Sequence, residues 1–376
     1  VKELPVKTSL KKIGRGLVHS GLCLTLWSQT LAFAGDDANK DKKLLGDDFT
    51  FDVNGEITAG GMASTRANGS SINLQNSYIS LSAAWKNKIR AVVTSKLEHI
   101  FKEQGVGLND NFSLQEFVRE AYIEIREVGG VPLAIVVGKH PIAFGQNVQA
   151  MPLFANNPLL KLQRIDQVYG VTVELTEGLF GLFDKVEISA FETKGGDLEL
   201  GRIDGVSVRL SKMLTEHWQL TVSHAEMGNN HLNTGHERRT SVGLIGEALN
   251  GDLVGWVEGI YFSNNPQYPN SSFALTGGLM YKVHRATDIV LEYSYVQNAL
   301  HELGLGIKAN LTKNLSAGVE VRYRNYVERN EHEVIFGIAL TYRFGLRENN
   351  KNEEYLFGPQ VERNNEETGN EEVIEE

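Results

Sequence analysis

Between residues 48 and 344, apolar and polar residues alternate in segment after segment, with almost no helical pattern between them. The stretch 315–326, LSAGVEVRYRNY, is representative. Leu315, Ala317, Val319, Val321 and Tyr323 occupy one set of positions, and Ser316, Gly318, Glu320, Arg322 and Arg324 the other. A period of two puts the sets on opposite faces of a β-strand. Sixteen such segments are expected, at 48–63, 71–85, 89–101, 117–128, 133–145, 168–178, 184–194, 202–214, 216–229, 237–250, 251–265, 272–285, 286–299, 300–314, 315–328 and 331–344. Several are longer than an ordinary soluble strand and approach the length of about 9–11 residues that crosses a bilayer at a tilt.

So large a sheet must cover its apolar face. No helices are available for this, and an open sheet would leave long unpaired edges. Past the N-terminal region no run of 18 apolar residues occurs, which excludes a helical membrane protein. In the last segment Val334, Phe336, Ile338, Leu340, Tyr342 and Phe344 share a face, against Gly337, Ala339, Thr341 and Arg343. The expected fold is all-β: a transmembrane antiparallel up-and-down β-barrel of about sixteen strands over 48–344, with lipid outside and water inside.

The connections point the same way. Lys86-Asn87-Lys88, Asn250-Gly251 and Lys313-Asn314 are short, whereas 102–116, 146–167, 195–201, 228–236 and 266–271 are longer. Alternating short and long connections are what short periplasmic turns and longer external loops give. An even strand number then leaves both ends of the chain in the periplasm. Two segments fit less well. In 251–265 Trp256 and Ile260 share a face with Glu258, and in 133–145 both faces are largely apolar. Burial against an inward-folded loop would explain this, and so would a register offset by one residue.

Residues 1–34 read as a secretory signal peptide. Lys7, Lys11, Lys12 and Arg15 precede a stretch poor in polar residues that closes on Ala32-Phe33-Ala34. Residues 35–47 then form an acidic periplasmic leader. The single cysteine, Cys23, lies inside the signal and follows Leu22 rather than the small residue of a lipoprotein. The remainder offers no thiol for disulfides, catalysis or metal binding. It carries a net charge of −14, which argues against general nucleic-acid binding.

With these features the chain resembles bacterial outer-membrane porins of the sixteen-strand type. The strand closing Leu340-Thr341-Tyr342-Arg343-Phe344 resembles the aromatic-terminated signal read by the outer-membrane assembly machinery. A local likeness joins Val137-Gly138-Lys139-His140-Pro141-Ile142-Ala143-Phe144-Gly145 and Asn156-Asn157-Pro158-Leu159-Leu160-Lys161-Leu162 to siderophore-porin (LbtU-like) and phosphate-selective porin families. Ala143 stands where those families usually have Pro, and Asn157 where they have Asp. The resemblance implies a passive channel for small hydrophilic solutes or ions in the outer membrane, a homotrimer if it follows general porins. The alternative is a ligand-selective porin for an anionic solute such as a siderophore or phosphate-type oxyanion. A barrel enzyme or adhesion scaffold is more remote, since no G-x-S-x-G, P-loop or H-E-x-x-H occurs, and no cofactor is implied. Residues 345–376 depart from porins that end on their terminal aromatic. They hold ten Glu against Arg347, Lys351 and Arg363, and read as an acidic disordered periplasmic tail.

Two groups of candidate site residues follow. Residues 146–167 correspond by resemblance to the loop that narrows a porin, with Met151, Phe154, Asn156, Asn157, Lys161, Arg164 and Asp166 as constriction residues. The apolar content of 151–162 is too high for a loop left in water. Alternation assigns Lys308, Glu320, Arg322, Arg324, Arg343, Arg209, Asp52, Glu56, Glu258 and Glu292 to the pore lining. Basic residues gather on strands fourteen to sixteen of that count and Asp52 with Glu56 on the first, so closure would set a field across the pore. His217, His224, His231 and His236 fall close together in sequence but show no convergent ligand pattern, so no metal site is expected.

Overall fold

The computed structural model describes residues 48–66, 70–74, 77–86, 88–97, 117–146, 148, 150–152, 158–176, 182–193, 203–228 and 236–345. The signal, the whole leader 35–47 and the tail after Gly345 lie outside the described residues.

Among the described residues seventeen strands follow one another. The first eight are β1 (Phe49–Ser64), β2 (Ser70–Leu74), β3 (Tyr78–Trp85), β4 (Ile89–Lys96), β5 (Val118–Ile125), β6 (Leu133–Ile142), β7 (Ile165–Thr176) and β8 (Lys185–Phe191). Then come β9 (Gly205–Met213), β10 (Trp218–Met227), β11 (Glu237–Ala248), β12 (Leu253–Ser263) and β13 (Phe273–His284). The wall ends with β14 (Thr287–Val296), β15 (Leu300–Asn310), β16 (Leu315–Tyr326) and β17 (Glu331–Gly345). Among the described residues one α-helical turn, α1 (Leu160–Gln163), interrupts them.

All pairing is antiparallel between chain neighbours, and β17 returns to β1 with Glu56 opposite Arg343 and Thr58 opposite Thr341. The first half of β1 pairs with β3 and its second half with β2, so β2 and β3 lie end to end as one wall position. The barrel is therefore closed with sixteen wall positions. The expected second segment is real but broken in its middle.

Burial runs opposite to that of a soluble protein. On β15 and β16 the apolar residues are the exposed ones (Leu305 is 51% exposed and Val319 50%), while Glu302, Glu320 and Arg322 on the other face are buried. The same holds for Val257 against Glu258 and for Leu291 against Glu292. An apolar outer band of this kind has lipid as its natural solvent. Aromatic residues edge it at both rims, with Tyr261, Phe273, Tyr293 and Tyr323 toward one and Phe51, Trp85, Trp218 and Tyr281 toward the other.

One rim has the connections 86–88, 126–132, 177–184, 214–217, 249–252, 285–286 and 311–314, of which 177–184 is the longest. The other carries the longer ones, but not throughout: 297–299 and 327–330 are tight. Asn298 and Asn330 take positive φ there, a conformation asparagine tolerates better than most residues. The alternation of short and long thus fails over the last four strands, where the long-loop rim is low.

Candidate functional site: the lumen and its inward loop

The connection between β6 and β7 turns into the barrel. β6 loses its pairing register between His140 and Ile142, with Pro141 at the break, where its missing N–H costs no ladder bond. His140 Nε2 pairs with Thr172 Oγ1 at 2.8 Å, and Thr172 with Ser189 Oγ at 2.8 Å. Ser207 Oγ donates to the Ala143 carbonyl at 2.9 Å, and Gly145 N donates to Ser223 Oγ at 3.0 Å. Gly145 has φ +63° and lies so close to Glu258 that a Cβ would overlap its carboxylate.

Glu258, on β12, is 1% exposed and holds both ends of the loop. It accepts hydrogen bonds from Gln146 N at 3.1 Å, from Gln163 Nε2 at 3.0 Å, and from the Ser241 hydroxyl. Arg239 on β11 clamps the returning arm, donating from Nη1 to the carbonyl of Leu162 at 3.1 Å and to that of Arg164 at 3.4 Å. From the β12–β13 connection Tyr268 donates to the Pro158 carbonyl at 3.0 Å, and burial pushes its phenol up to about 12.

Apolar packing completes the anchorage. Ile142, Phe144, Leu159 and Leu162 form one buried cluster with Phe191, Ile260, Phe262, Val296 and Leu300. Val148, Ala150 and Met151 form another with Ile245, Val254, Trp256 and Val290. This resolves the anomaly of segment 251–265. The register is as expected, and the inward face of β12 is apolar around Glu258 because the loop lies on it.

The loop tip sits in a notch of glycines on β15 and β16. A Cβ on Gly304 would come within 2.9 Å of Met151, one on Gly306 within 2.7 Å of Pro152, and one on Gly318 within 2.6 Å of Pro152. Inward glycines on a strand leave room for exactly such a close approach. Of the other expected constriction residues, Phe154, Asn156 and Asn157 lie outside the described residues, as do the side chains of Lys161 and Asp166. Arg164 is half-buried at the end of the returning arm.

Arg322 is 0% exposed, so it does not stand free in water. It donates to Glu320 at 2.9 Å, Glu302 at 2.6 Å and Glu292 at 3.4 Å, and Arg324 pairs with Glu302 as well. Register explains the reach to Glu292. Arg322, Gly304 and Glu292 are laterally opposite on three successive strands, and the glycine between leaves the guanidinium a path. Arg343, its side chain 47% exposed, pairs with Glu56 at 2.8 Å across the closure seam, and Lys308 lies opposite Asp288. The basic wall expected over these strands is thus interleaved with carboxylates. Asp52 shares the inward face of β1 with Glu56.

On β7 to β9 Lys185 bridges Glu174 at 3.0 Å and Glu187 at 3.1 Å, and Arg209 reaches Glu187 at 3.5 Å. At these places the inner wall carries charges of both signs. Glu302, Glu237, Arg239 and Lys185 escaped the sequence reading, although extending the alternation of their strands by one or two steps would have placed them inward. His217 lies at the short rim beside Glu247, while His224 faces outward beside Thr240. Among the described residues no group of side chains could hold a metal ion.

No family model matches the chain, and no curated protein matches it. Solved structures do. The outer membrane channel DcaP of Acinetobacter baumannii superposes with a TM-score of 0.59 at 10% identity, over 79% of this chain and 97% of that one. The outer membrane protein OmpT of Vibrio cholerae, in its trimer form, gives 0.54 at 14% identity over 79% and 100%. Salmonella typhi OmpF in complex with daunomycin gives 0.54 at 13% over 79% and 98%. The chain has the fold of the sixteen-strand outer-membrane porins.

Proposed function

We propose that the protein is an outer-membrane channel for passive diffusion of small hydrophilic solutes. The observation that carries this is the inverted wall, apolar outside and charged inside, together with a pinned loop that narrows the bore without crossing lipid. A sixteen-strand wall is wide enough for an aqueous path, and charges of both signs around it favour hydrated polar solutes over apolar ones. The pairing of Arg322 and Arg324 with carboxylates favours transit over tight retention of an anion, so the ligand-selective alternative ranks second. The short-turn rim, which bears both ends of the barrel, faces the periplasm. The trimer form of the similar OmpT structure supports a homotrimer, and the strand ending at Phe344 supplies the assembly signal. The test is reconstitution of the purified chain into planar bilayers. Stepwise conductance that increases with salt and admits small sugars in liposome swelling is expected. A correctly folded barrel that passes neither ions nor sugars would sink the reading.

A further inference from the structure

The inward loop is held from the rim as well as from the wall. The connection from β12 to β13, residues 264–272, stands on the long-loop rim. Pro266, Gln267, Pro269 and Asn270 are exposed at its tip, and Asn265 and Ser271 are buried beneath them. Both of its ends are tied to neighbouring strands. Asn264 Nδ2 donates to the His236 carbonyl at 2.9 Å, and the Ser271 hydroxyl donates to the Gln297 carbonyl. Gln297 Oε1 accepts from Ser272 N at 3.3 Å and from Ser272 Oγ at 2.9 Å.

Between those ends the connection is stiff. Pro266 and Pro269 fix φ on either side of Gln267 and Tyr268. Asn265 Oδ1 accepts from Gln267 N at 3.0 Å and from Tyr268 N at 3.1 Å, which closes an Asx turn. The exposed tip and the residues beneath it therefore move as one piece.

Two contacts run inward from this piece. Tyr268 donates to the Pro158 carbonyl at 3.0 Å, and its ring leans on Phe262 at a centroid distance of 6.3 Å. Asn265 Nδ2 donates to Glu237 Oε1, which also accepts from Arg239 Nε at 2.7 Å. Arg239 carries that link on to the carbonyls of Leu162 and Arg164. The first contact meets the returning arm just before α1, and the second meets it at the end of α1. One element of the rim thus brackets the helix. Asn265, Glu237 and Arg239 are all buried, so breaking any bond between them leaves a costly unpaired group. A displacement of the tip is then passed to α1 rather than absorbed on the way.

We propose that the 264–272 connection is an external strap that positions the inward loop, with Tyr268 and Asn265 as the positioning residues, so that a load on its exposed tip alters the bore. The strap deepens the channel function proposed above and rests on it. A chain of contacts becomes a coupling only when a perturbation at one end is read at the other.

The test uses the full chain with Cys23→Ser, which removes the only cysteine of the sequence, reconstituted in planar bilayers. A maleimide-linked polyethylene glycol too large to enter the bore is attached to Gln267→Cys at the strap tip. A second sample carries it on Arg66→Cys, exposed on the same rim after β1. Labelling of Gln267→Cys is expected to shift the mean conductance and raise the open-channel noise, and labelling of Arg66→Cys to do neither. Tyr268→Phe with Asn265→Ala cuts both links and should bring the Gln267→Cys shift down to the Arg66→Cys level. Tyr268→Phe alone should shrink the shift and, before labelling, make noise events about fivefold more frequent, the weight of one neutral hydrogen bond. Gel mobility before and after heating monitors the barrel in every variant. Equal shifts from the two labels overturn the proposal, and so does a shift that survives the double variant. If the double variant loses its compact mobility, Tyr268→Phe decides, and an undiminished shift there overturns the proposal as well. An unlabelled chain that conducts nothing refutes the channel reading and the strap with it. A conducting chain indifferent to the label refutes the strap alone.

Discussion

Removing the Glu258 carboxylate should free the inward loop while leaving the barrel standing. In Glu258→Ala the Gln146 N–H, the Gln163 amide and the Ser241 hydroxyl all lose their acceptor. A buried donor left without a partner costs about 1–3 kcal/mol. Three of them exceed what the loop recovers by no longer burying a charge, which is itself costly. With water entering the gap, a net loss of about 2–4 kcal/mol in loop docking is a reasonable magnitude. That is a shift of roughly thirtyfold to a thousandfold toward the undocked loop, at tenfold for each ~1.4 kcal/mol. Arg239, Tyr268 and the two apolar clusters still hold the loop, so it should fluctuate rather than leave.

Single-channel recording is the assay, with gel mobility before and after heating as the control for barrel integrity. The expected record shows a larger mean conductance and added open-channel noise. Glu258→Gln keeps the side-chain length and one acceptor oxygen, but turns an amide donor toward Gln163 or Gln146. Its record should lie between wild type and alanine. An intact alanine variant with wild-type conductance and noise would show that Glu258 does not position the loop.

Further outcomes are expected for five variants. Gly318→Val, whose Cβ would come within 2.6 Å of Pro152, should displace the loop tip and change conductance in bilayer recordings. Gly255→Val faces outward beside Leu279 at 3.2 Å and should not. Arg322→Ala leaves Glu292, Glu302 and Glu320 crowded around a lost cation and should weaken the folded barrel by about 3–5 kcal/mol, read from denaturant-dependent unfolding in micelles. Arg343→Ala, on a half-exposed side chain, should instead shift reversal potentials toward cations with little change in stability. Leu305→Arg puts a charge on an exposed outward position and should cost about 2–4 kcal/mol if lipid lies there. In a water-exposed position it would be silent in the same unfolding assay.

Strand positions were legible because alternation is a local property of each segment, visible in the contrast of Leu305 with Gly304 or of Val319 with Glu320. Closure was legible too, since an even meander with no covering helices has no other way to remove its edges. What the segments do not carry is lateral register. That Arg322, Gly304 and Glu292 stand in one row depends on the pairing of three strands, so Arg322, Glu320 and Glu292 could all be assigned inward without their pairing coming into view. Parity alone gathers basic residues on these strands with Glu320 among them, and register adds the direct pairing of Arg322 with Glu302 and Glu292.

The loop shows the same limit from the other side. Its apolar composition indicated that 146–167 leaves water, and the apolar inward face of segment 251–265 indicated that something covers it. Neither stretch names the other, because the contact spans about a hundred residues of chain and is fixed only when the barrel closes. The glycines make the link physical. Gly304, Gly306 and Gly318 sit on inward positions where a pore wall gains nothing from lacking a side chain, and a strand interior is weakened by glycine. Their cost is offset once Met151 and Pro152 occupy the space they leave. Inward glycines clustered on neighbouring strands, read together with a long apolar connection elsewhere in the chain, therefore indicate where an inward loop comes to rest. In this chain both signals were present, on β15 and β16 and in residues 151–162, and only the closed wall brought them together.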